Sequence, residues 1–353
     1  MPVEKIDDIL TKTHTSSKFE NNGFSIGLNG VGLKCVNALS AKCQVDVKRD
    51  GKLWQFKSEK GEITQSTTAI NDLDEPNETG TTITFIPDIE IMGEFEIEIE
   101  KYLEFLTQLS YMSKGLTIDF QAKRNDGKVL KKVLKSENGH LDYIKDIEKN
   151  PLIKDPVYIE DKSDDKELYM CINYSTKRDE DLILSFVNSM ATTEHGTHIQ
   201  GAKMALTSVF KKYIDDNKLL QKKDSNLDIN GDDIIESITI ILELKCIEPL
   251  FDSQTKDRLT SSDAIGYVRK VVTDQLTYYL NKNKNEAKIL CNKIISNARG
   301  RRAAKNSKML AKKKDTNPFT SISSLSKYTK ASSKDPERLE LFIVEGNSAR
   351  RLS

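Results

Sequence analysis

The stretch GLNGVGLKCVNALS, Gly27–Ser40, places three glycines in six residues and follows them with an apolar run at helical spacing. Glycine lets backbone N–H groups approach an anion without a Cβ in the way, and the start of the following helix carries partial positive charge. The segment therefore reads as a loop for phosphate that opens into a helix. A purely structural glycine turn has the same spacing, so the loop alone leaves both readings open.

The segments around it give the fold class. AKCQVDVKRDGKLWQFKSEKGEI alternates apolar and polar residues about RDGK, which predicts a β-hairpin with an Asp-Gly turn. TGTTITFIPD reads as a strand ending at Pro87, and FEIEIEKYLEFLTQLSYMSKG as a helix that stops at Gly115. ELYMCINYS and DLILSFVNSM are strand candidates, and GAKMALTSVFKKYI is an amphipathic helix. IIESITIILELKCI, a long β-branched run, predicts a central strand, and EPLFDSQTKDRLTSS a polar loop. Two helices follow. One starts near Ser262 with Ile265, Val268, Val272, Leu276 and Leu280 on a face, and the next carries Ala287, Leu290, Ile294 and Ala298. Mixed strands and helices over 353 residues predict an α/β (α+β) chain of two or three domains.

Composition narrows the class. Lys plus Arg and Asp plus Glu number 54 each, so a basic surface must be local. The apolar runs are of strand length, which predicts no membrane span. MPVEKIDDILTK lacks the apolar core of a signal peptide. Cys35, Cys43, Cys171, Cys246 and Cys291 form no CxxC pair, which argues against a zinc site or a disulfide framework and fits a reducing cytosol. No internal repeat is found.

Four further segments can carry chemistry. Gln254–Lys256 (QTK) puts a lysine on a polar loop after a buried strand, where it can meet a terminal phosphate or simply stand in solvent. His195–His198 (HGTH) has two histidines three apart, but no further histidine lies nearby. A strand-to-helix turn with a threonine N-cap fits better than a metal site. VEGNSA, Val344–Ala349, ends a strand with Glu345, a position suited to a metal ligand. Between Arg299 and Lys314, RGRRAAKNSKMLAKKK holds eight basic residues and no acid, either a phosphate-binding tract or a solvated helix end.

Taken in order, these segments resemble the ATPase subunit of type IIA DNA topoisomerases, the gyrase B and topoisomerase IV B group. KFENNGFSIGLNGVGLKCVNALS is similar to that family's ATP lid and phosphate loop, and GTTITFIPD to its adenine-side strand. HGTHIQGAKMAL and FDSQTKDRLTSS resemble the two signatures of its transducer domain, and LELFIVEGNSA the opening of its TOPRIM domain. The resemblance implies a partial GHKL-type ATPase sandwich over residues 1–134. A transducer domain with a left-handed βαβ ribosomal-protein-like fold would follow over 135–314, then a linker over 315–337 and the first TOPRIM strand over 338–353.

The resemblance also implies roles. The backbone of Gly27, Leu28, Asn29, Gly30, Val31 and Gly32 would wrap the ATP phosphates, with Lys18 approaching from the lid and Thr81 near the adenine. Gln254 and Lys256 would reach the γ-phosphate. Glu345 would be a catalytic acid and a metal ligand of the DNA-cleavage site. Arg301, Arg302 and Lys305 would meet DNA phosphates. The implied cofactors are ATP and Mg²⁺. The implied partners are double-stranded DNA, the breakage-reunion (A-type) subunit and an ATPase dimer partner, with no membrane, in a cytoplasmic, nucleoid-associated setting.

There are departures. The family's upstream glutamate and asparagine and its Asp-x-Gly-x-Gly adenine motif find no match before Gly27. The lid before Gly27 is short, and Asn29 stands where the loop usually has histidine. EGNSARR departs from the usual EGDSA pattern. The expectation is a chain that grips phosphate and, alone, is inactive. A non-catalytic DNA- or partner-binding remnant is the alternative. A mismatch-repair or chaperone ATPase of the same superfamily is disfavoured by the TOPRIM opening and the QTK loop.

Overall fold

The computed structural model describes residues 3–12, 24, 30–224, 226–315, 335 and 337. Lys18, Gly27, Leu28, Asn29 and Glu345 lie outside the described residues, as do most of the linker and the whole TOPRIM segment.

In chain order the first unit contains α1 (Ile6–Thr11), α2 (Gly32–Ala38), β1 (Ser40–Arg49), β2 (Lys52–Glu59), β3 (Glu62–Asp72) and β4 (Gly80–Pro87). The four strands form an antiparallel sheet in the order β3-β2-β1-β4. Asp50 and Gly51 make the β1–β2 turn with φ of 53° and 71°, the conformation that a two-residue hairpin of this twist requires. The predicted RDGK hairpin is therefore present, and Lys60–Gly61 repeats the device between β2 and β3. Cys43, Val45 and Val47 alternate onto one sheet face, where they pack with Phe56, Ile6 and Leu10. Ile83 and Phe85 share that face through their pairing with Val45 and Cys43, yet stay 40% and 50% exposed on the edge strand β4.

A connecting segment follows: α3 (Ile89–Met92), α4 (Ile99–Met112), the hairpin β5 (Thr117–Lys123) and β6 (Val129–Lys135), and α5 (His140–Ile147). The end of α4 stacks on α5 through Tyr111 and Tyr143, with ring centroids 4.6 Å apart.

The second unit comprises β7 (Val157–Lys162), β8 (Lys166–Tyr174), β9 (Leu182–Val187), β10 (Met190–Ala191), α6 (Thr197–Asp216), α7 (Gly231–Ile235), β11 (Ile238–Cys246), α8 (Asp263–Lys282) and α9 (Lys284–Asp315). Its five-stranded sheet has the order β10-β9-β11-β8-β7, so the β-branched run does supply the central strand. That strand is shorter than its apolar pattern: Ile234 and Ile235 belong to α7, and Ser237, at φ 67°, turns the chain into β11. β9 and β11 are parallel and joined through α6, while the other pairings are antiparallel. Ile238, Ile240, Leu242 and Leu244 face α6, α8 and α9 in the main core. Ile241, Cys171 and Phe186 face Tyr143 and Ile144 of α5 on the opposite side. Burial on both faces explains why β11 reads as continuous apolar sequence rather than as alternation.

Helices α8 and α9 bury most of the stripes expected of them: Val268, Val272, Leu276 and Leu280 on the first, Ala287, Leu290, Ile294 and Ala298 on the second, all 0% exposed, while Ile265 at the start of α8 is only half-buried. Gly201 of α6 sits against the backbone of Ile265, where a Cβ would come within 2.7 Å of its carbonyl oxygen, so glycine sets the close approach of α6 and α8. Among the described residues no helix is long and apolar enough to cross a membrane, and all five cysteines are unpaired.

Candidate functional site

Of the phosphate loop, Gly30, Val31 and Gly32 are described. Gly30 has φ 56°, and α2 starts directly after it with Val31 as N-cap. Among the described residues, a Cβ built on Gly32 would meet nothing within 4 Å. Lys34 lies one turn further on and is buried, with its ammonium folded back onto the Gly30 carbonyl. Sequence reasoning passed over this lysine. Its spacing of four from Gly30 on a helix start was the available signal.

Thr81 stands on β4 opposite Val47 of β1. Together with Val47, Lys48, Arg49, Pro76 and Gly80 it lines an open cleft of about 530 Å³. Helix α2 lies beside both β1 and β4, so the loop's helix and the strand bearing Thr81 belong to the same unit.

Gln254 and Lys256 belong to the second unit, at the tip of the loop between β11 and α8. The loop is a built element. Phe251 bridges Leu259, Asp252 N donates to the Arg258 carbonyl at 3.2 Å, and Thr260 N donates to the Leu250 carbonyl at 2.8 Å. At the tip, Lys256 N donates to the Ser253 carbonyl at 3.2 Å, and Lys256 holds the left-handed conformation, φ 63°. A side chain in that region costs of order 1 kcal/mol or more and persists where its surroundings impose it.

The surroundings come from the HGTH turn. Glu194 N donates to the Asp257 carbonyl at 3.0 Å, Leu259 N to the His195 carbonyl at 3.0 Å, and Thr197 N to the Leu259 carbonyl at 3.0 Å. These three bonds are a short parallel ladder between the loop's rising arm and residues 194–197. Thr193 Oγ1 adds a bond to Asp257 Oδ1 at 2.9 Å. Hydrogen bonds from Thr255 and Thr193 hold the Asp257 carboxyl below its ordinary range. Gly196, at φ 132°, passes so close to Leu259 that a Cβ would lie 2.2 Å from its carbonyl oxygen. Two segments that the sequence offers as separate signatures are thus one structural unit.

The turn is itself anchored from below. His195 Nδ1 lies 2.9 Å from Ser185 Oγ of β9, and Ser185 Oγ lies 2.7 Å from Thr192 Oγ1 and 2.9 Å from the Thr192 carbonyl. Thr192 Oγ1 in turn lies 3.3 Å from His198 Nε2. Burial, then the neighbouring His195, drive the His198 pKa down to about 3, so its ring is neutral at ordinary pH. The threonine N-cap expected at HGTH is not formed. Gly196 is the N-cap, Thr197 opens α6, and its buried Oγ1 has no hydrogen-bond partner among the described residues. Among the described residues no group of three or more His, Cys, Asp or Glu gathers as a metal site would.

The basic tract continues α9 without a break, but its members differ. Arg299 pairs with Asp224 at 2.6 Å. Arg301 grips Asp233 with Nε at 2.6 Å and Nη2 at 2.9 Å, and donates to the Asp228 carbonyl at 2.6 Å. Asp233 is fully buried and caps α7 together with Asn230. Arg302, Lys305 and Lys308 are exposed. Of the three residues expected at DNA, Arg301 is therefore committed to a fold contact, and Arg302 and Lys305 face solvent.

Comparison with known proteins follows this division. A family model described as DNA gyrase B matches residues 139–310. The DNA gyrase B protein of Eisenibacter elegans is 35% identical over 328 residues, covering 92% of this chain and 67% of that protein. The DNA gyrase B protein of Helicobacter pylori is 36% identical over 357 residues, covering 99% of this chain and 45% of its own length. The chain thus spans between 45% and 67% of the length of these curated relatives. Among solved structures, the 43K ATPase domain of Thermus thermophilus gyrase B in complex with an aminocoumarin matches with a TM-score of 0.70 at 26% identity, over 88% of this chain and 80% of that one. The topoisomerase IV ATP-binding domain of Francisella tularensis, in complex with a small-molecule inhibitor, matches with a TM-score of 0.67 at 28% identity, over 84% and 77%.

Proposed function

The chain belongs to the DNA gyrase B family, and on that premise we propose that it serves as the ATP-binding and transducer portion of a type IIA DNA topoisomerase. The observation that carries the reading is the QTK loop: a lysine held in a left-handed backbone at the tip of a loop zipped onto the start of α6. The backbone there sets the direction in which the side chain leaves the loop, and a lysine's compact charge at its end suits a phosphate.

In this reading the backbone N–H groups of Gly27–Gly32 hold the phosphates of ATP, with Lys18 approaching from the lid. Lys34 draws the carbonyl of Gly30 toward its own ammonium and so turns that oxygen's charge away from the anion. The cleft beside Thr81 takes the adenine end. Gln254 and Lys256 meet the γ-phosphate, so the second unit responds to ATP and ADP differently. The described residues gather no carboxylate cluster for Mg²⁺, and no step is assigned to the metal. Glu345 remains its proposed ligand and the proposed acid of DNA cleavage.

Double-stranded DNA is the proposed polymer substrate, met through phosphates by Arg302 and Lys305 on the exposed length of α9. The breakage-reunion subunit and an ATPase dimer partner are the proposed assembly partners, in the cytoplasm beside the nucleoid. Titrating the full chain with a fluorescent ATP analogue tests the nucleotide reading. Competition by ATP should be stronger than by ADP, and Lys256→Ala should remove that difference. Equal competition by both nucleotides in the unaltered chain would overturn it.

A further inference from the structure

HGTH and QTK stand apart in the sequence as two signatures, but the structure makes one the seat of the other. Lys256 is flanked by Asp257, and Asp257 is the tip residue tied to the HGTH turn twice. Its carbonyl accepts from Glu194 N at 3.0 Å and its carboxylate accepts from Thr193 Oγ1 at 2.9 Å. Below it, Leu259 continues the ladder on both sides of Gly196, with His195 O and Thr197 N as its partners. The turn that receives these bonds cannot shift freely. His195 is in the left-handed region at φ 63°, and the hydroxyls of Ser185 and Thr192 tie it to β9 and to the buried His198.

We propose that Asp257 is a positioning residue for Lys256, and that Thr193 is the partner through which it acts. Docking of Asp257 on Thr193 and Glu194 fixes the backbone of the preceding residue in its left-handed turn, and with it the direction in which the Lys256 ammonium is delivered. Neither Asp257 nor Thr193 touches the nucleotide. Released from Thr193, the tip keeps its lysine and its charge but loses the single geometry in which that charge meets a terminal phosphate. The ladder also gives the contact a route onward, because Thr197 N, the last of the three donors, is the first residue of α6. The inference rests on the reading of Lys256 as the γ-phosphate contact.

The test uses the full chain and two readouts. The first is the ratio of affinities for the non-hydrolysable analogue AMP-PNP and for ADP, measured for the unaltered chain and for Thr193→Val, Thr193→Ser, Asp257→Ala and Lys256→Ala. Thr193→Val and Asp257→Ala should lower the ratio about three- to ten-fold, the effect of one hydrogen bond, with ADP affinity unchanged. Thr193→Ser, which keeps the donor, should restore it. The second is amide hydrogen exchange without nucleotide. Thr193→Val should raise exchange at Glu194 and Leu259, whose amides form the ladder, and leave β11 protected. If Lys256→Ala abolishes the ratio while Thr193→Val and Asp257→Ala keep it, the positioning role is wrong and the reading of Lys256 stands. If Lys256→Ala leaves the ratio unchanged, the reading of Lys256 fails and the proposal fails with it. Unchanged exchange in Thr193→Val would overturn the docking by itself.

Discussion

Arg301 and Arg302 are neighbours in one basic tract, yet the structure assigns them opposite consequences. Arg301→Ala removes both guanidinium bonds to Asp233, at 2.6 and 2.9 Å, and leaves a carboxylate with no solvent exposure. That carboxylate keeps the bond from Asn230 N, at 2.8 Å. Breaking a fully buried ion pair from one side costs about 3–5 kcal/mol. The Arg301 side chain is 36% exposed, so water can enter behind it and the cost falls to about 2 kcal/mol. Arg302 is exposed and makes no such contact, so Arg302→Ala should change stability by no more than about 0.5 kcal/mol. Urea denaturation of both variants, followed by far-ultraviolet circular dichroism, reads the difference as a shift in midpoint at constant slope. A double-mutant cycle with Asp233→Asn should return a large part of the Arg301 cost as coupling. If the two single variants agree within about 0.5 kcal/mol, the inward clamp is not a stability contact and the division of the tract drawn here is wrong.

Three further outcomes follow from the same geometry. Gly196→Ala places a Cβ 2.2 Å from the Leu259 carbonyl oxygen at a φ of 132°, and overpacking plus backbone strain should cost about 3 kcal/mol or more, measured as a fall in denaturation midpoint. His198 has a folded pKa lowered to about 3 by burial, while the unfolded chain protonates near the ordinary histidine value of about 6.5. The unfolded state therefore binds the extra proton first. The stability that neutral His198 contributes is full above about pH 6.5 and is lost as pH falls from there toward about 3, so His198→Gln should flatten that part of the pH–stability profile. Duplex DNA binding should be sequence-independent and weaken steeply with salt, and Arg302→Ala/Lys305→Ala/Lys308→Ala should lower the salt slope by about 2–3, while an unchanged slope would remove the DNA role from the tract.

Much of the fold was legible because its signals are local. Asp50–Gly51 announces a tight hairpin by residue type, and the α8 and α9 stripes announce themselves by helical spacing. The β5–β6 hairpin carried the same kind of signal and was passed over: Ile118, Phe120 and Ala122 alternate with polar residues along β5, and Asp126–Gly127 marks the turn, with Gly127 at φ 82°, while only the lysines of β6 blur the pattern. The Asn188–Ser189 turn into β10 is hidden inside a strand-like run, since neither residue demands the left-handed conformation both adopt. The site was legible only as parts. Thr193 and Asp257 are 64 residues apart, and the ladder between them is made of backbone atoms that leave no mark on residue type. Gly196 alone carried a trace of it. The acids that claim Arg299 and Arg301 lie 75 and 68 residues upstream, so a tract that is basic in sequence is partly neutralised in space.

Lys256 is proposed to meet the terminal phosphate of a nucleotide whose phosphates rest on the Gly27–Gly32 loop. A crystal structure of the full chain with AMP-PNP and Mg²⁺ tests it most directly. The phosphates should lie against the N–H groups of Gly30–Gly32, with Lys256 Nζ within about 3.2 Å of a γ-phosphate oxygen. A nucleotide bound elsewhere, or bound at that loop with the Lys256 ammonium more than about 6 Å from the γ-phosphate, beyond any direct contact, would contradict it.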